Sequence, residues 1–235
     1  MPLDLEEQEQ VANLKAWWDS MGRWLALGLV IVLVGYGAYR IYGNYQDNKS
    51  AQAEEVYETL MAATLNKDLP KAQKIAEDLE ARFPSTSYAS MAGLVAANLA
   101  YLVNDNASAM KQLRWVEDNS KNAGLKNIAR DRLIAMLLDV GDAPSLADAD
   151  TLLKKSVAPG FEALFLERRG DWYLVQNKKS EALTAYKEAW AASSKAKAEL
   201  SGQKELDPAM RDFERRNPDE AQKLLKLKID SLGGF

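Results

Sequence analysis

The 235-residue sequence predicts an all-α protein in which one membrane-spanning helix precedes a solenoid of about four helical hairpins and a C-terminal capping helix. Three observations support this fold class. An apolar run without charges lies near the N-terminus. The remaining chain is rich in Ala, Leu, Lys and Glu, with apolar residues recurring every three or four positions, as in amphipathic helices. Short polar breaks interrupt this pattern at similar intervals, which is typical of a repeat architecture.

The apolar run lies between Arg23 and Arg40, which enclose sixteen uncharged residues. As a helix, residues 24–42 would reach about 28 Å, close to the hydrocarbon thickness of a bilayer. Aromatic residues, which favour the interface between membrane and water, flank the run on both sides. They are Trp17, Trp18 and Trp24 before it and Tyr36, Tyr39, Tyr42 and Tyr45 towards its end. We therefore predict a transmembrane helix over residues 24–45.

Two other structures are compatible with such a run, a cleaved signal peptide and the core helix of a soluble protein. A signal peptide begins with a basic region, whereas residues 1–23 carry five acidic and two basic residues. A soluble helix of this length would normally carry a polar stripe. Both points favour an uncleaved span, although the small residues Gly35 and Gly37 keep cleavage open. The prediction is a short acidic tail over residues 1–23, the span, and a helical domain over residues 47–235.

The charges beside the span leave its orientation open. Lys15 and Arg23 lie on its N-terminal side. Lys49 lies on the C-terminal side together with Arg40, whose side chain can snorkel out of the end of the span, so the count of basic residues on the two sides is equal. Gly28 and Gly35 are seven residues apart and share one face of the helix. Small residues let a second transmembrane helix approach closely, so we predict that this face contacts a partner.

Composition excludes several functional classes. The chain has no His and no Cys, which excludes Cys/His zinc sites, thiol chemistry and Ser-His-Asp triads. Its net charge of −4 is unlike the basic footprint of a nucleic-acid-binding protein. Carboxylate catalysis is compatible with the composition, but no phosphate-binding loop or metal motif accompanies it. We expect no enzyme activity, no cofactor and no metal.

The polar breaks predict the turns of four helical hairpins. The clearest unit is residues 164–190, where Gly170 and Tyr173 are followed by Ala182, Tyr186 and Ala189. This spacing is that of a tetratricopeptide repeat, in which small residues lie where two helices touch and aromatic residues fill the space between hairpins. The breaks fall at residues 65–70, 103–108, 140–145 and 175–180.

Weaker copies of the pattern precede this unit. Their spacing varies and predicts insertions, most clearly at residues 141–145. After Ala192 the pattern dissolves into a charged stretch, and residues 219–232 form a last amphipathic helix that would cap the solenoid. The predicted small positions are Ala97, Ala135 and Gly170 on first helices and Ala72, Ala109, Ala149 and Ala182 on second helices, with Ala76, Leu113, Leu153 and Tyr186 four residues after the latter.

The chain resembles the YfgM family, the ancillary subunits of the SecYEG translocon. The resemblance covers nearly the whole chain, and its most specific part is the juxtamembrane "EQVANLKAWWDSMGRW" together with the span. It implies a protein of a Gram-negative inner membrane, with the N-terminus in the cytoplasm and the repeat domain in the periplasm. It also implies association with the translocon and with a membrane-anchored periplasmic chaperone of the prolyl-isomerase type, in support of client proteins leaving the channel.

A solenoid of helical hairpins presents a surface lined by first helices, which suits binding of a peptide or a partner helix. Methionines on this surface would make it adaptable. The alternative is that these side chains pack the core. Counted from the small positions, the groove would be lined by Tyr57, Met61, Met91, Leu94, Asn98, Tyr101, Arg132, Met136, Glu167 and Asp171.

Three functions are compatible with these observations. The first is a membrane-anchored periplasmic scaffold or chaperone partner at the translocon. The second is a repeat scaffold for envelope assembly or cell division. The third is an enzyme that uses carboxylates alone, for which the sequence contains no motif.

Overall fold

The computed structural model describes residues 5–66, 68–203 and 220–234, which form helices and turns without strands. The predicted all-α fold class is confirmed. Contacts divide the chain into two compact units, Met1–Gln52 and Ala53–Phe235. Each unit is described by itself.

The first unit contains the predicted membrane span. It consists of helix α1, Leu5–Trp17, a π-helical turn, Trp18–Gly22, and the beginning of helix α2, Arg23–Leu65. Within the described residues, Trp24–Leu65 is the one helix long and apolar enough to cross a membrane. The side chains of residues 24–36 are exposed, and those of a soluble core helix would be buried. This helix fits a membrane-anchored protein.

The second unit is a stack of helical hairpins. The end of α2 and helix α3 share one apolar cluster. Helix α4 pairs with α5, α6 with α7 and α8 with α9, and α10 packs against α9. The four predicted hairpins and the capping helix are therefore present. The helices are α3, Leu69–Arg82; α4, Ser87–Leu102; α5, Asn106–Asn119; α6, Ala123–Val140; α7, Ala143–Leu153; α8, Glu162–Val175; α9, Lys179–Gln203; and α10, Glu220–Ser231.

Aspartates begin the second helix of the first three hairpins. The side chains of Asp68, Asp105 and Asp142 each accept a hydrogen bond from the backbone N–H three residues later. These bonds satisfy amides that the first turn of a helix leaves without a partner, and they stabilise the start of each helix. The three predicted breaks therefore contain the start signals of α3, α5 and α7.

Left-handed residues end the first helix of the last three hairpins. Asn104, Gly141 and Asn177 have φ values of 63°, 69° and 61°. Asn and Gly adopt this conformation more readily than other residues. Each can therefore reverse the chain within two or three residues.

The insertion predicted at residues 141–145 is wrong. Only Gly141 and Asp142 separate α6 from α7, because Asp142 caps α7 and Pro144 occupies its first turn, where proline is tolerated. The longer connection is residues 154–161, between α7 and α8. The longest step between small positions, from Ala109 to Ala149, contains α6, whose 18 residues make it longer than α4 and α8.

Helix α9 continues through Gln203, beyond Ala192, where the repeat pattern ends. Residues 193–203 contain Ala, Lys, Glu and Leu, which are good helix formers. The rest of the predicted charged stretch, residues 204–218, lies outside the described residues, as does Asp219 at the start of the predicted last helix.

The small residues lie at helix contacts, as predicted. Gly170 is buried, Ala97 is 3% exposed, and the four second-helix alanines are 0% exposed. Ala135 is half-buried because it lines an open cleft. Three apolar clusters form the core: the first joins α2, α3 and α4, the second extends from α4 to α8, and the third joins α8, α9 and α10.

Candidate protein-binding groove

A cleft of about 300 Å³ lies between the first helices of the second, third and fourth hairpins. Stacking of hairpins brings successive first helices side by side, and α4, α6 and α8 contact one another in that order. The cleft is lined by Ala97, Asn98 and Tyr101 of α4, Leu113 of α5, Arg132, Ala135, Met136 and Asp139 of α6, and Arg168 of α8.

A second cleft, of about 270 Å³, adjoins the first near the turns of the second and third hairpins. The two clefts share Tyr101, Met136 and Asp139. Together they form one surface depression, which we call the α4–α6 groove. The second cleft is also lined by Asn106, Met110 and Val140.

Small and apolar side chains form much of the groove. Ala97 and Ala135, two of the small repeat positions, line it with Leu113. Tyr101 is 52% exposed, and Met136 is half-buried. An exposed aromatic ring and a flexible thioether supply contact area that adapts to different partners.

The groove unites four of the ten predicted lining residues, Asn98, Tyr101, Arg132 and Met136. Sequence reasoning missed Asp139, although it lies three residues after Met136 and seven after Arg132. Residues at these spacings share one helix face. The helical spacing in the sequence could therefore have identified Asp139 as a groove residue. Ala97, Leu113 and Ala135 were predicted as packing residues, and Arg168 was not singled out.

Three predicted lining residues lie outside the groove, on the first two hairpins. The ring of Tyr57 lies 5.7 Å from that of Tyr88, and burial raises the pKa of Tyr57. Met61 on α2 is 37% exposed, and Met91 on α4 is half-buried.

Leu94 lies in the core, although the sequence analysis predicted that it lines the groove. It is 9% exposed and belongs to the central apolar cluster with Leu113 and Leu133. Helix α4 contacts α3, α5 and α6, so most of its faces are covered. Its buried residues therefore extend round the helix, and the face that opens to solvent is narrower than the repeat spacing suggests.

Glu167 and Asp171 bind the capping helix. The Lys228 Nζ of α10 lies 2.7 Å from Glu167 Oε1 and 2.7 Å from Asp171 Oδ1. The Tyr186 hydroxyl donates to the same Asp171 oxygen at 2.7 Å. Burial and this hydrogen bond raise the pKa of Tyr186 above its usual range. In the last hairpin, α10 thus covers the surface of α8 that was predicted to line the groove.

Arg168 forms a fixed wall of the groove. Its Nε donates to Asp131 Oδ1 at 2.6 Å, and its Nη1 donates to Asp171 Oδ2 at 3.0 Å. Burial lowers the pKa of the Arg168 guanidinium, but the two carboxylates outweigh burial and raise it. The pairing with Asp131 joins α8 to α6, so the wall depends on contacts between hairpins.

The glycine face of the span is open. A β-carbon added at Gly28 or Gly35 would meet no atom within 4 Å. Contact of this face with another membrane helix stays a prediction.

Comparison with known proteins places these features in a family. The tetratricopeptide repeat-like domain family matches residues 15–234. A protein of Neisseria gonorrhoeae named ancillary SecYEG translocon subunit is 32% identical over 193 residues, which cover 80% of this chain and 90% of that protein. No solved structure matches the chain.

Two further relatives carry the same name. The protein of Haemophilus influenzae is 24% identical over 204 residues, covering 87% of this chain and 98% of its own length. That of Aggregatibacter actinomycetemcomitans is 25% identical over 192 residues, covering 80% and 91%. With its apolar helix, its four hairpins and these matches, the chain belongs to the tetratricopeptide repeat-like family of ancillary SecYEG translocon subunits.

Proposed function

We propose that this protein is a single-pass subunit of the bacterial inner membrane that associates with the SecYEG translocon. Its N-terminal tail lies in the cytoplasm and its repeat domain in the periplasm. The observation that carries this proposal is the similarity to a relative with that name, at 32% identity over 80% of the chain. The exposed apolar side chains of α2 supply the membrane anchor.

The α4–α6 groove is the surface through which the protein binds its partners. It combines an apolar lining with the exposed Tyr101 ring, and it lies between helices of different hairpins. Such a surface holds a polypeptide through contact area and a few anchor residues. The partners are a membrane-anchored periplasmic chaperone of the prolyl-isomerase type and unfolded segments of proteins that leave the channel.

Photo-crosslinking in intact cells tests this function. A photoreactive amino acid at Asn98, an exposed groove position, is expected to capture translocon subunits, the chaperone or client proteins. The same amino acid at Glu188, which is exposed on α9 outside the groove, serves as control. Capture of division or envelope-assembly proteins at Asn98 would instead support the second scaffold function.

Topology is tested independently of partners. A reporter that is active only outside the cytoplasm is expected to work when fused after Phe235. Protease added to spheroplasts is expected to degrade the repeat domain. Protection of the domain would contradict the proposed orientation.

A further inference from the structure

The α4–α6 groove contains two charged side chains that have no partner within the described part of the chain. Arg132 and Asp139 both lie on α6 and both are exposed. Among the described residues, neither forms an ion pair or a side-chain hydrogen bond, whereas Arg168 is held by Asp131 and Asp171. The free charges of the groove are thus one cation and one anion.

These two charges are separated along the groove. Seven residues make about two helical turns, so Arg132 and Asp139 share a face of α6 about 10 Å apart along its axis. Met136 lies between them on the same face, and Tyr101 of α4 lines the same cleft. The groove therefore has a cationic end, an apolar middle and an anionic end.

Asp139 lines both clefts of the groove. On its other side the second cleft continues with Met110 and Val140, which offer further apolar contact. A polypeptide that follows the groove would meet the positive charge, an apolar stretch, the negative charge and a second apolar stretch in this order.

We propose that the α4–α6 groove selects extended segments that carry an acidic and a basic side chain about three residues apart, with apolar side chains between them. In the extended polyproline II conformation a chain advances about 3.1 Å per residue and completes a turn every three residues. Side chains three residues apart therefore point to the same side, about 9 Å apart, which is close to the distance between Arg132 and Asp139. The acidic side chain pairs with Arg132, and the basic side chain pairs with Asp139. This inference rests on the proposed function, because it assumes that the groove binds polypeptide.

The test uses three fluorescent peptides of equal length that differ only in charge pattern. Neutral Ser-Gly flanks surround Glu-Leu-Leu-Lys, Glu-Leu-Leu-Glu or Lys-Leu-Leu-Lys. Binding to the full-length protein in detergent is measured by fluorescence anisotropy. The unmodified protein is expected to bind the first peptide about threefold or more tightly than either of the others, which is the size of effect that exposed ion pairs have.

Charge reversal at one end is expected to change the preference. Arg132→Glu leaves two anionic ends, so the Lys-Leu-Leu-Lys peptide becomes the tightest ligand. Asp139→Lys leaves two cationic ends, so the Glu-Leu-Leu-Glu peptide becomes the tightest. The differences shrink at high salt, because exposed charges are screened.

Two control variants change the net charge equally at exposed positions outside the groove. Lys121→Glu and Glu188→Lys are expected to keep the peptide order of the unmodified protein. A common order in all five proteins would overturn the charge inference and leave peptide binding by the groove intact. No binding of any peptide would overturn both the inference and the assignment of the groove.

Discussion

The ring of Tyr186 lies directly against the α-carbon of Gly170. A β-carbon added at Gly170 would be 2.3 Å from Tyr186 Cε1 and 2.5 Å from its Cδ1, closer than any real contact. Tyr186 is fully buried, and its hydroxyl is held by Asp171. Helices α8 and α9 therefore meet through a glycine on one side and an aromatic ring on the other.

Even the smallest side chain at Gly170 is expected to destabilise the last hairpin. Gly170→Ala adds helix propensity, yet it should lower stability by about 1–3 kcal/mol, because the Tyr186 ring cannot move away. Gly170→Leu should melt the hairpin. Circular dichroism melting of the full-length protein measures both effects. Gly43→Ala, where a β-carbon meets no atom within 4 Å, is the matched control and should be tolerated.

A double substitution shows whether the contact between residue 170 and Tyr186 causes the loss of stability. In Gly170→Ala with Tyr186→Leu, a smaller side chain faces the new methyl group, so the combined loss should be smaller than the sum of the single losses. Additive losses would show that the two residues do not act through their contact.

Glu80 is expected to make stability depend on pH. Its Oε1 is buried and has no hydrogen-bond partner within the described part of the chain. Burial, and to a smaller extent the neighbouring Glu77, raise the pKa of Glu80 to about 7, while Lys111 opposes the rise. An unfolded chain releases this proton near pH 4.5. The folded state thus holds a proton that the unfolded state has lost, and stability falls as pH rises from about 4.5 towards 7.

Substitution of Glu80 by Gln removes this dependence. We expect the melting temperature of the unmodified protein, compared with that of Glu80→Gln, to decrease as the pH is raised from 5 to 8. At pH 8 the variant should be the more stable protein. The control is Glu188→Gln, an exposed carboxylate on α9. An equal difference between unmodified protein and Glu80→Gln at both pH values would exclude Glu80 as the titrating group.

Lys228 is expected to hold the capping helix in place. Lys228→Met removes the ammonium group that Glu167 and Asp171 share, while Asp171 keeps its bonds to Arg168 and Tyr186. Because these groups are only partly exposed, the loss should be about 1–2 kcal/mol. Hydrogen exchange should accelerate in α10 and not in α4. Lys226→Met, at an exposed position of the same helix, is the control. Equal exchange in the two variants would contradict the role of Lys228.

The apolar residues of the α4–α6 groove are expected to supply binding affinity. Tyr101→Ser combined with Met136→Ser should weaken peptide or client binding about tenfold or more, since a buried anchor contributes on the order of 1 kcal/mol. The melting temperature should change little, because Tyr101 is 52% exposed. Leu102→Ser, at a 67% exposed neighbour outside the groove, is the control. If the double variant unfolds, these side chains are core residues.

Gly28 and Gly35 are expected to contact a membrane partner. Replacing both with Leu should release that partner when membranes are extracted with detergent, while the repeat domain stays folded. Gly37→Leu is the control, because residue 37 lies on the opposite face from residue 28. Co-purification that is unchanged in the double variant would show that the two glycines are not in an interface.

The sequence by itself determined the helices and their order. The signals are local: Asp105 and Asp142 begin helices, Asn104 and Gly141 reverse the chain, and the uncharged run forms one exposed helix. Each acts within a few residues, through a hydrogen bond, a φ angle or a periodicity of about 3.6 residues. The contact between Gly170 and Tyr186 was also predictable, because the two residues belong to one hairpin.

Tertiary structure decided which side chains face the α4–α6 groove. Leu94 enters the core, while Asp139 borders both clefts, because neighbouring helices cover α4 and leave this face of α6 open. Lys228 meets Glu167 across 61 residues of chain, and no local pattern encodes such a pairing. One position along a helix turns a side chain by about 100°. The difference between core, groove and ion pair therefore depends on how the hairpins pack, and packing joins residues that are distant in sequence.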